Sequence, residues 1–380
     1  MALPSRDTPV SLTTVLSKLD GTPLAMREAA PLPRPTSADD DVWPRIAEVI
    51  AAEIKAVKAQ DDRNRARRGQ PPSKLLGAGV EVATHVHNGQ IVLAAYRDRS
   101  GNAPLAVSVS RLLDHKPVIV ENDVNALAIM ATHQPEYQGL NMVIAAVFDE
   151  GVGGGLIMDG RVRRGTRGMA MEIGHLLVEP HLNDDSSLHR KDGDEPNGEP
   201  SETEGQLKNF FDECSCGQQG HVDVLATPSR IRGQLGTNDL AAAATAPSTD
   251  HDGQPTAEYQ AFARGGVALG RGLAATITLV NPEELVLKLP PVLIESVPER
   301  AASAYLAAVR HEITTVFSTG ATDAELIVEP FKDVAVTGAR AAAICMIDAF
   351  IAHARGLDTC NSPAQRQTDA RSVERTAALA

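Results

Sequence analysis

The stretch PVIVENDVNALAIMA, Pro117 to Ala131, limits the fold more than any other part of the chain. A short β-branched apolar run ends in Glu121, Asn122 and Asp123 and passes directly into a segment of good helix formers. Buried strand, polar tip and helix form the repeating unit of an open α/β sheet, and such sheets bind ligands beyond the carboxyl ends of their strands. Asp123 is therefore a candidate general base for a hydroxyl substrate, and Asn122 a candidate partner for a polyol. The same pair also suits a plain helix N-cap.

The rest of the chain repeats the alternation. Val10 to Leu16, the turn Asp20-Gly21 and the apolar segment after it read as a strand pair. Trp43 to Val57 carries Trp43, Ile46, Val49, Ile50, Ile54 and Val57 on one helical face, and Arg63 to Lys74 reads as an exposed loop. Strands are expected at Leu75 to Val82, Gln90 to Ala95, Met142 to Phe148, Leu156 to Met158 and Glu284 to Leu289. Helices are expected at Leu105 to Leu113, Ala261 to Val280, Ala301 to Phe317 and Ala339 to Ala354. Residues 181–213, acidic and poor in apolar side chains, read as a disordered insertion, and the polar tail 357–380 as frayed.

The net charge of −13 excludes a surface that is wholly a nucleic-acid platform, and 3% aromatics leave few residues on which bases could stack. Four cysteines among 380 residues are not a secreted disulfide framework. With no signal peptide and no long apolar span in view, the expectation is a cytoplasmic protein with no membrane contact.

Two of those cysteines stand in CSCGQQGHVD, Cys214 to Asp223, about forty residues after EIGH, Glu172 to His175. Thiolates at C-x-C spacing can chelate one ion from a tight turn, with His221 and His175 completing four N/S ligands for a structural Zn²⁺. Otherwise they are free thiols in a glycine-rich loop. The glycines from Gly151 to Gly155 could let backbone N–H groups approach phosphate, or could simply form a tight turn between strands. His85 and His87 read as packed or exposed side chains rather than a second metal site.

Taken in order, VENDVNA, DEGVGGGLIMDGRVRRG, EIGH and CSCGQQGHVD resemble the ROK family of repressors and sugar kinases. The resemblance implies a two-lobed, actin-like ATPase fold related to ribonuclease H, with a ligand cleft between the lobes and a structural zinc site. The lobes fall at 1–121 and 122–335, and residues 336–356 form a last helix packing back on the first. It further implies that Asn122, Asp123, Glu172, His175 and Asp223 bind a hexose or N-acetylhexosamine, with Asp123 the catalytic base of the kinases. Gly151, Gly153 and Gly154 fall in the second phosphate loop, and His175, Cys214, Cys216 and His221 hold zinc. A homodimer is the usual assembly for such proteins.

The chain departs from that pattern chiefly around ATP. Where family kinases carry a D-x-G-G-T phosphate loop, the aligned RDTPVSL has no glycine and puts Pro9 in the turn. Glu150 stands in place of a usual Thr or Ser, and VLKLPPVL, Val286 to Leu293, replaces a late glycine-rich turn. The sequence therefore reads first as a sugar-sensing regulator with weakened or absent catalysis. Its DNA contact would lie in a missing or partner domain, since the repressors carry an N-terminal winged helix-turn-helix. The alternative is an ATP- and Mg²⁺-dependent hexose kinase.

Overall fold

A computed structural model describes residues 11–33, 41–92, 102–178, 214, 216–316 and 325–354. The aligned phosphate-loop residues Thr8 to Val10, the acidic insertion and the tail lie outside the described residues.

In chain order, strands β1 (Ser11–Ser17) and β2 (Pro23–Pro31) precede helix α1 (Trp43–Arg67). Then come β3 (Ala78–Val82), β4 (Val86–His87), β5 (Gln90–Val92), β6 (Asn102–Ala103), α2 (Leu105–Leu112), β7 (Val118–Asn122) and α3 (Asp123–Thr132). Next are β8 (Met142–Val147), β9 (Val152–Met158), β10 (Arg161–Val162), α4 (Asp223–Ala226), α5 (Pro228–Leu235), α6 (Leu240–Thr245) and α7 (Ala257–Val280). The described chain closes with β11 (Glu284–Leu289), α8 (Ser303–Val316), β12 (Glu325–Pro330) and α9 (Val334–Ala354).

The larger sheet has the order β10-β9-β8-β11-β12, antiparallel through β10, β9 and β8 and parallel through β8, β11 and β12. Every residue of β8 is buried, because the strand is covered on both faces. Val143, Ala145 and Val147 enter the core built with α7 and α8, while Met142, Ile144 and Ala146 enter the one built with α3 and α9. Strand alternation thus assigns one apolar run to two cores.

The N-terminal layer is a parallel pair, β3 and β7, with α1 and α2 packed on it. Among the described residues the hairpin β1-β2 lies beside that pair without joining it. Helix α9 packs against β1, β3, β7 and α3. Among the described residues it is the one helix long and apolar enough to cross a membrane, and one of its faces, with Ala341, Ala342 and Cys345, is buried against the sheets.

Arg63 to Lys74 is not wholly a loop. Helix α1 runs to Arg67 because its polar end is tied down: Ser73 Oγ donates to Asp61 Oδ2 at 2.7 Å, and Lys58 pairs with Asp62 one turn on. The glycine run is also corrected. Only Gly151 belongs to the turn between β8 and β9; Gly153 and Gly154 lie inside β9. A Cβ on Gly153 would sit 2.4 Å from Val124 Cγ2, and one on Gly154 would sit 2.6 Å from both the Met171 carbonyl and Ile173 Cδ1. The absent side chains let α3 and the segment bearing Glu172 press onto the sheet. Gly154→Ala should lower stability by about 1–3 kcal/mol, read as a reduced melting temperature.

Candidate functional site

The site forms where β7 meets α3. Asn122 is the last residue of the strand and the N-cap of the helix: its Oδ1 accepts from the backbone N–H groups of Val124 and Asn125, both at 3.1 Å. Its Nδ2 donates to Asp123 Oδ1 at 2.9 Å and to the Thr84 carbonyl at 3.3 Å. Both ends of the amide are engaged, so capping and orientation of Asp123 coexist in one residue.

Asp123 is buried. Its hydrogen bonds, from Asn122 and from Val124 N–H at 2.8 Å, converge on Oδ1, leaving Oδ2 for a substrate proton. Burial raises its pKa, partly opposed by those donors. That is the direction a general base needs.

Behind this pair, Glu121 Oε1 accepts the Asn122 N–H at 3.0 Å, and Glu121 Oε2 meets Arg164 at 2.7 Å. The ion pair holds the β7–α3 junction to the segment after β10. No local sequence period marks this clamp, whose members stand 43 residues apart.

Across the site, Glu172 caps the one-turn 3-10 helix Ile173–His175 and lies 3.0 Å from His85 Nε2. Burial pushes Glu172 up to about 7, with the negative charges of Asp123 and Asp223 adding to the rise and His175 opposing it. Burial lowers His85. From the sequence alone His85 reads as a packed or exposed side chain. The structure makes it the partner of Glu172, from a loop that only the fold brings near.

Asp223 opens α4, and its Oδ1 accepts the Val152 N–H at 2.7 Å. A Cβ on Gly174 would lie 2.0 Å from that oxygen, so Gly174 is what lets the EIGH turn and Asp223 come together. Glu172 feels the charges of Asp123, His175 and Asp223, and Asp223 feels His175, which joins the four in one cluster. Glu81, in β3, is another member of this charge environment: burial, with Asp123 adding, pushes its carboxyl up to about 8. The folded pKa is raised, so this group's stabilising share is full at low pH and is lost as pH rises from about 4.5 to about 8. Glu81→Gln should remove a fall on the order of 3 kcal/mol between pH 4.5 and pH 7, measured by denaturant titration at each pH.

His175, Cys214, Cys216 and His221 each offer one ligand atom, all within 4.8 Å of one another. His175 Nδ1 is 3.4 Å from Cys214 Sγ, and Cys216 Sγ is 3.5 Å from His221 Nδ1. Zn–N near 2.0 Å and Zn–S near 2.3 Å at tetrahedral angles give an N···S edge of ~3.6 Å. The donor set and spacing therefore fit a closed N₂S₂ site. Gly217 and Gly220, at φ of 88° and 75°, make the turn that brings Cys216 and His221 together. Backbone hydrogen bonds from Val222 to Leu176 and from Val178 to Gly220 pin this turn to the chain after His175.

At the proposed phosphate side, Gly151 accepts from Phe148 N–H at 2.8 Å. Asp149 is tied to Arg232 at 2.6 Å and, through its carbonyl, to Ser229 N–H. Glu150 is exposed at the tip. After β11 the chain turns through Pro290 and Pro291.

Comparison with known proteins places this arrangement in context. An N-acetylmannosamine kinase of Vibrio cholerae is 33% identical over 129 residues, 34% of each chain. An N-acetyl-D-glucosamine kinase of Yersinia pseudotuberculosis is 30% identical over 103 residues, 27% of this chain and 33% of its own. The chain thus spans about a third of the length of the curated relatives it matches. Among solved structures, a ROK family transcriptional regulator homologous to the E. coli MLC protein gives a TM-score of 0.59 at 18% identity, covering 88% of this chain and 75% of that one. The ROK hexokinase of Thermus thermophilus gives 0.56 at 20% identity, covering 89% and 99%. The fold is therefore that of the ROK sugar kinases, an actin-like ATPase fold of mixed α/β sheets. The family profile matches residues 45–348, most of the chain: this protein belongs to the ROK family.

Proposed function

We propose that the protein is an ATP-dependent sugar kinase acting on a hexose or N-acetylhexosamine. The reading rests on one observation above the others: a buried Asp123, oriented by Asn122 and with one carboxylate oxygen open, stands in the cluster of Glu172, His175 and Asp223. Asp123 takes the proton from a sugar hydroxyl as that oxygen attacks the γ-phosphorus of ATP, the bond to the β,γ-bridging oxygen breaks, and ADP leaves. Glu172, held by His85, and Asp223, held by the Val152 N–H, fix the other hydroxyls, and the His175 imidazole borders them from the zinc side. ATP with Mg²⁺ supplies the phosphoryl group and neutralises its charge. Zinc held by His175, Cys214, Cys216 and His221 keeps the pocket wall in place and takes no part in transfer. Residues 1–121 and 122–335 act as the two lobes, with the last helix tying them. A homodimer is the expected assembly, to be checked by light scattering.

This reverses the order in which the sequence ranked its two functions. Two of the matched relatives, 33% and 30% identical over the matched part, are named kinases of N-acetylated hexosamines, which favours catalysis over sensing. An ADP-release screen over N-acetylmannosamine, N-acetylglucosamine, glucose and mannose with Mg²⁺-ATP and zinc should show sugar-dependent release. Binding of a sugar in calorimetry with background release throughout would restore the sensor reading.

A further inference from the structure

The turn between β8 and β9 adjoins both halves of the site. On one side β9 packs on α3, with Gly153 against Val124, the residue after Asp123. On the other, the Val152 N–H donates to Asp223 Oδ1 at 2.7 Å. The turn also stands at the carboxyl end of β8, the end at which such sheets take ligands. A donor whose γ-phosphorus meets a hydroxyl held at Asp123 therefore brings its phosphates past this turn. Yet the turn is acidic, because Asp149 and Glu150 are both exposed at its tip.

Arg232 alters that balance. Its guanidinium reaches from α5 to Asp149 Oδ2 at 2.6 Å, and its side chain is 28% exposed against 59% for the aspartate, so the pair is held from the α5 side. The backbone follows the same route: the Ser229 N–H, in the first turn of α5, donates to the Asp149 carbonyl at 3.0 Å. Thr227, fully buried between α4 and α5, donates its hydroxyl to the Asp223 carbonyl at 3.1 Å. Turn 149–152 and segment 223–232 thus close a ring, joined at Val152 and Asp223 at one end and at Asp149, Ser229 and Arg232 at the other. An exposed ion pair adds little to folding stability. Its effect on charge matters more here, since it cancels one of two carboxylates in the path of a triphosphate.

We propose that Arg232 is a positioning residue for the phosphoryl donor: held on Asp149, it fixes the β8–β9 turn and cancels a charge that would repel a nucleoside triphosphate there. The inference rests on the kinase reading and deepens it, by naming how this chain seats an anionic donor beside two acidic residues.

Calorimetry of the full-length protein with zinc, Mg²⁺ and adenylyl imidodiphosphate, a non-hydrolysable ATP analogue, is run beside the sugar-dependent ADP assay. Arg232→Met keeps the aliphatic stem; it should weaken the analogue about fivefold and raise KM for ATP alike, with kcat and KM for sugar within about twofold of wild type. Arg232→Lys should recover most of the loss, because a single contact to Asp149 needs no fork. Asp149→Asn should bind the analogue at least as tightly as wild type, and the double variant Arg232→Met, Asp149→Asn should return to within about twofold of it. The Arg232→Met deficit should shrink in about 0.5 M KCl. Should Arg232→Met fail to fold, Arg232→Gln takes its place, losing affinity where Arg232→Lys keeps it. Equal analogue affinity in wild type and Arg232→Met, or a double variant as weak as Arg232→Met alone, overturns the inference and leaves the kinase reading standing where ADP is still released with sugar. The expected binding pattern without sugar-dependent ADP overturns the kinase reading and leaves the donor seat. A wild type that binds no analogue overturns both.

Discussion

Asp123→Asn should leave sugar binding nearly intact and cut sugar-dependent ADP formation by about 10²–10⁴-fold, the usual contribution of a general base. The asparagine keeps the size of the side chain, and its Oδ1 can still accept the Val124 N–H and the Asn122 amide. What disappears is the basic oxygen facing the substrate. The loss should appear in kcat, with calorimetric sugar affinity changed by less than about tenfold. Equal loss of binding and turnover would mean that Asp123 only holds the sugar. Glu121→Gln is a useful companion, because it weakens the Arg164 clamp and the hold on the Asn122 N–H without touching the reacting atoms.

Loss of the proposed zinc should have the largest effect on stability. Structural zinc sites in small modules are worth on the order of 10 kcal/mol, and here the ligands join the EIGH turn to the segment that opens α4. Cys214→Ser, or prolonged chelation, should lower the melting temperature by roughly 10 °C or more and abolish sugar binding with it. One zinc per chain, measured by atomic emission on protein purified without added metal, is the accompanying expectation. A Cys214→Ser protein with unchanged melting temperature and sugar affinity would reduce the cluster to packing thiols and imidazoles.

The legible parts of this molecule were those written in neighbouring residues. PVIVEND followed by VNALAIMA encodes a strand, a cap and a helix, so the positions of Asn122 and Asp123 follow from neighbouring residues. The C-x-C spacing and the two glycines beside it are likewise local, and the ligand atoms of His175 and His221 lie within 4.8 Å of both thiols. The contacts that escaped are those made across the chain. His85 reaches Glu172, Glu121 reaches Arg164, and Glu81 approaches Gly338, each pair far apart in sequence and free of any period. Two other misreadings came from ambiguity in composition. Glycines in a row suggest a turn, yet Gly153 and Gly154 extend a strand whose neighbours leave no room for a Cβ. Arg63 to Arg67 is polar but for Ala66, and the Ser73 bond to Asp61 rather than an apolar face carries the helix that far.

The central claim is that the Asp123 site transfers phosphate to a sugar. Phosphorus NMR of the zinc-loaded protein with Mg²⁺-ATP and N-acetylmannosamine or N-acetylglucosamine tests it most directly. The account predicts a new sugar-monophosphate resonance growing in equal amount with ADP, absent from Asp123→Asn. Unchanged ATP, or ADP accompanied only by free phosphate, from a protein that still binds the sugar would contradict it.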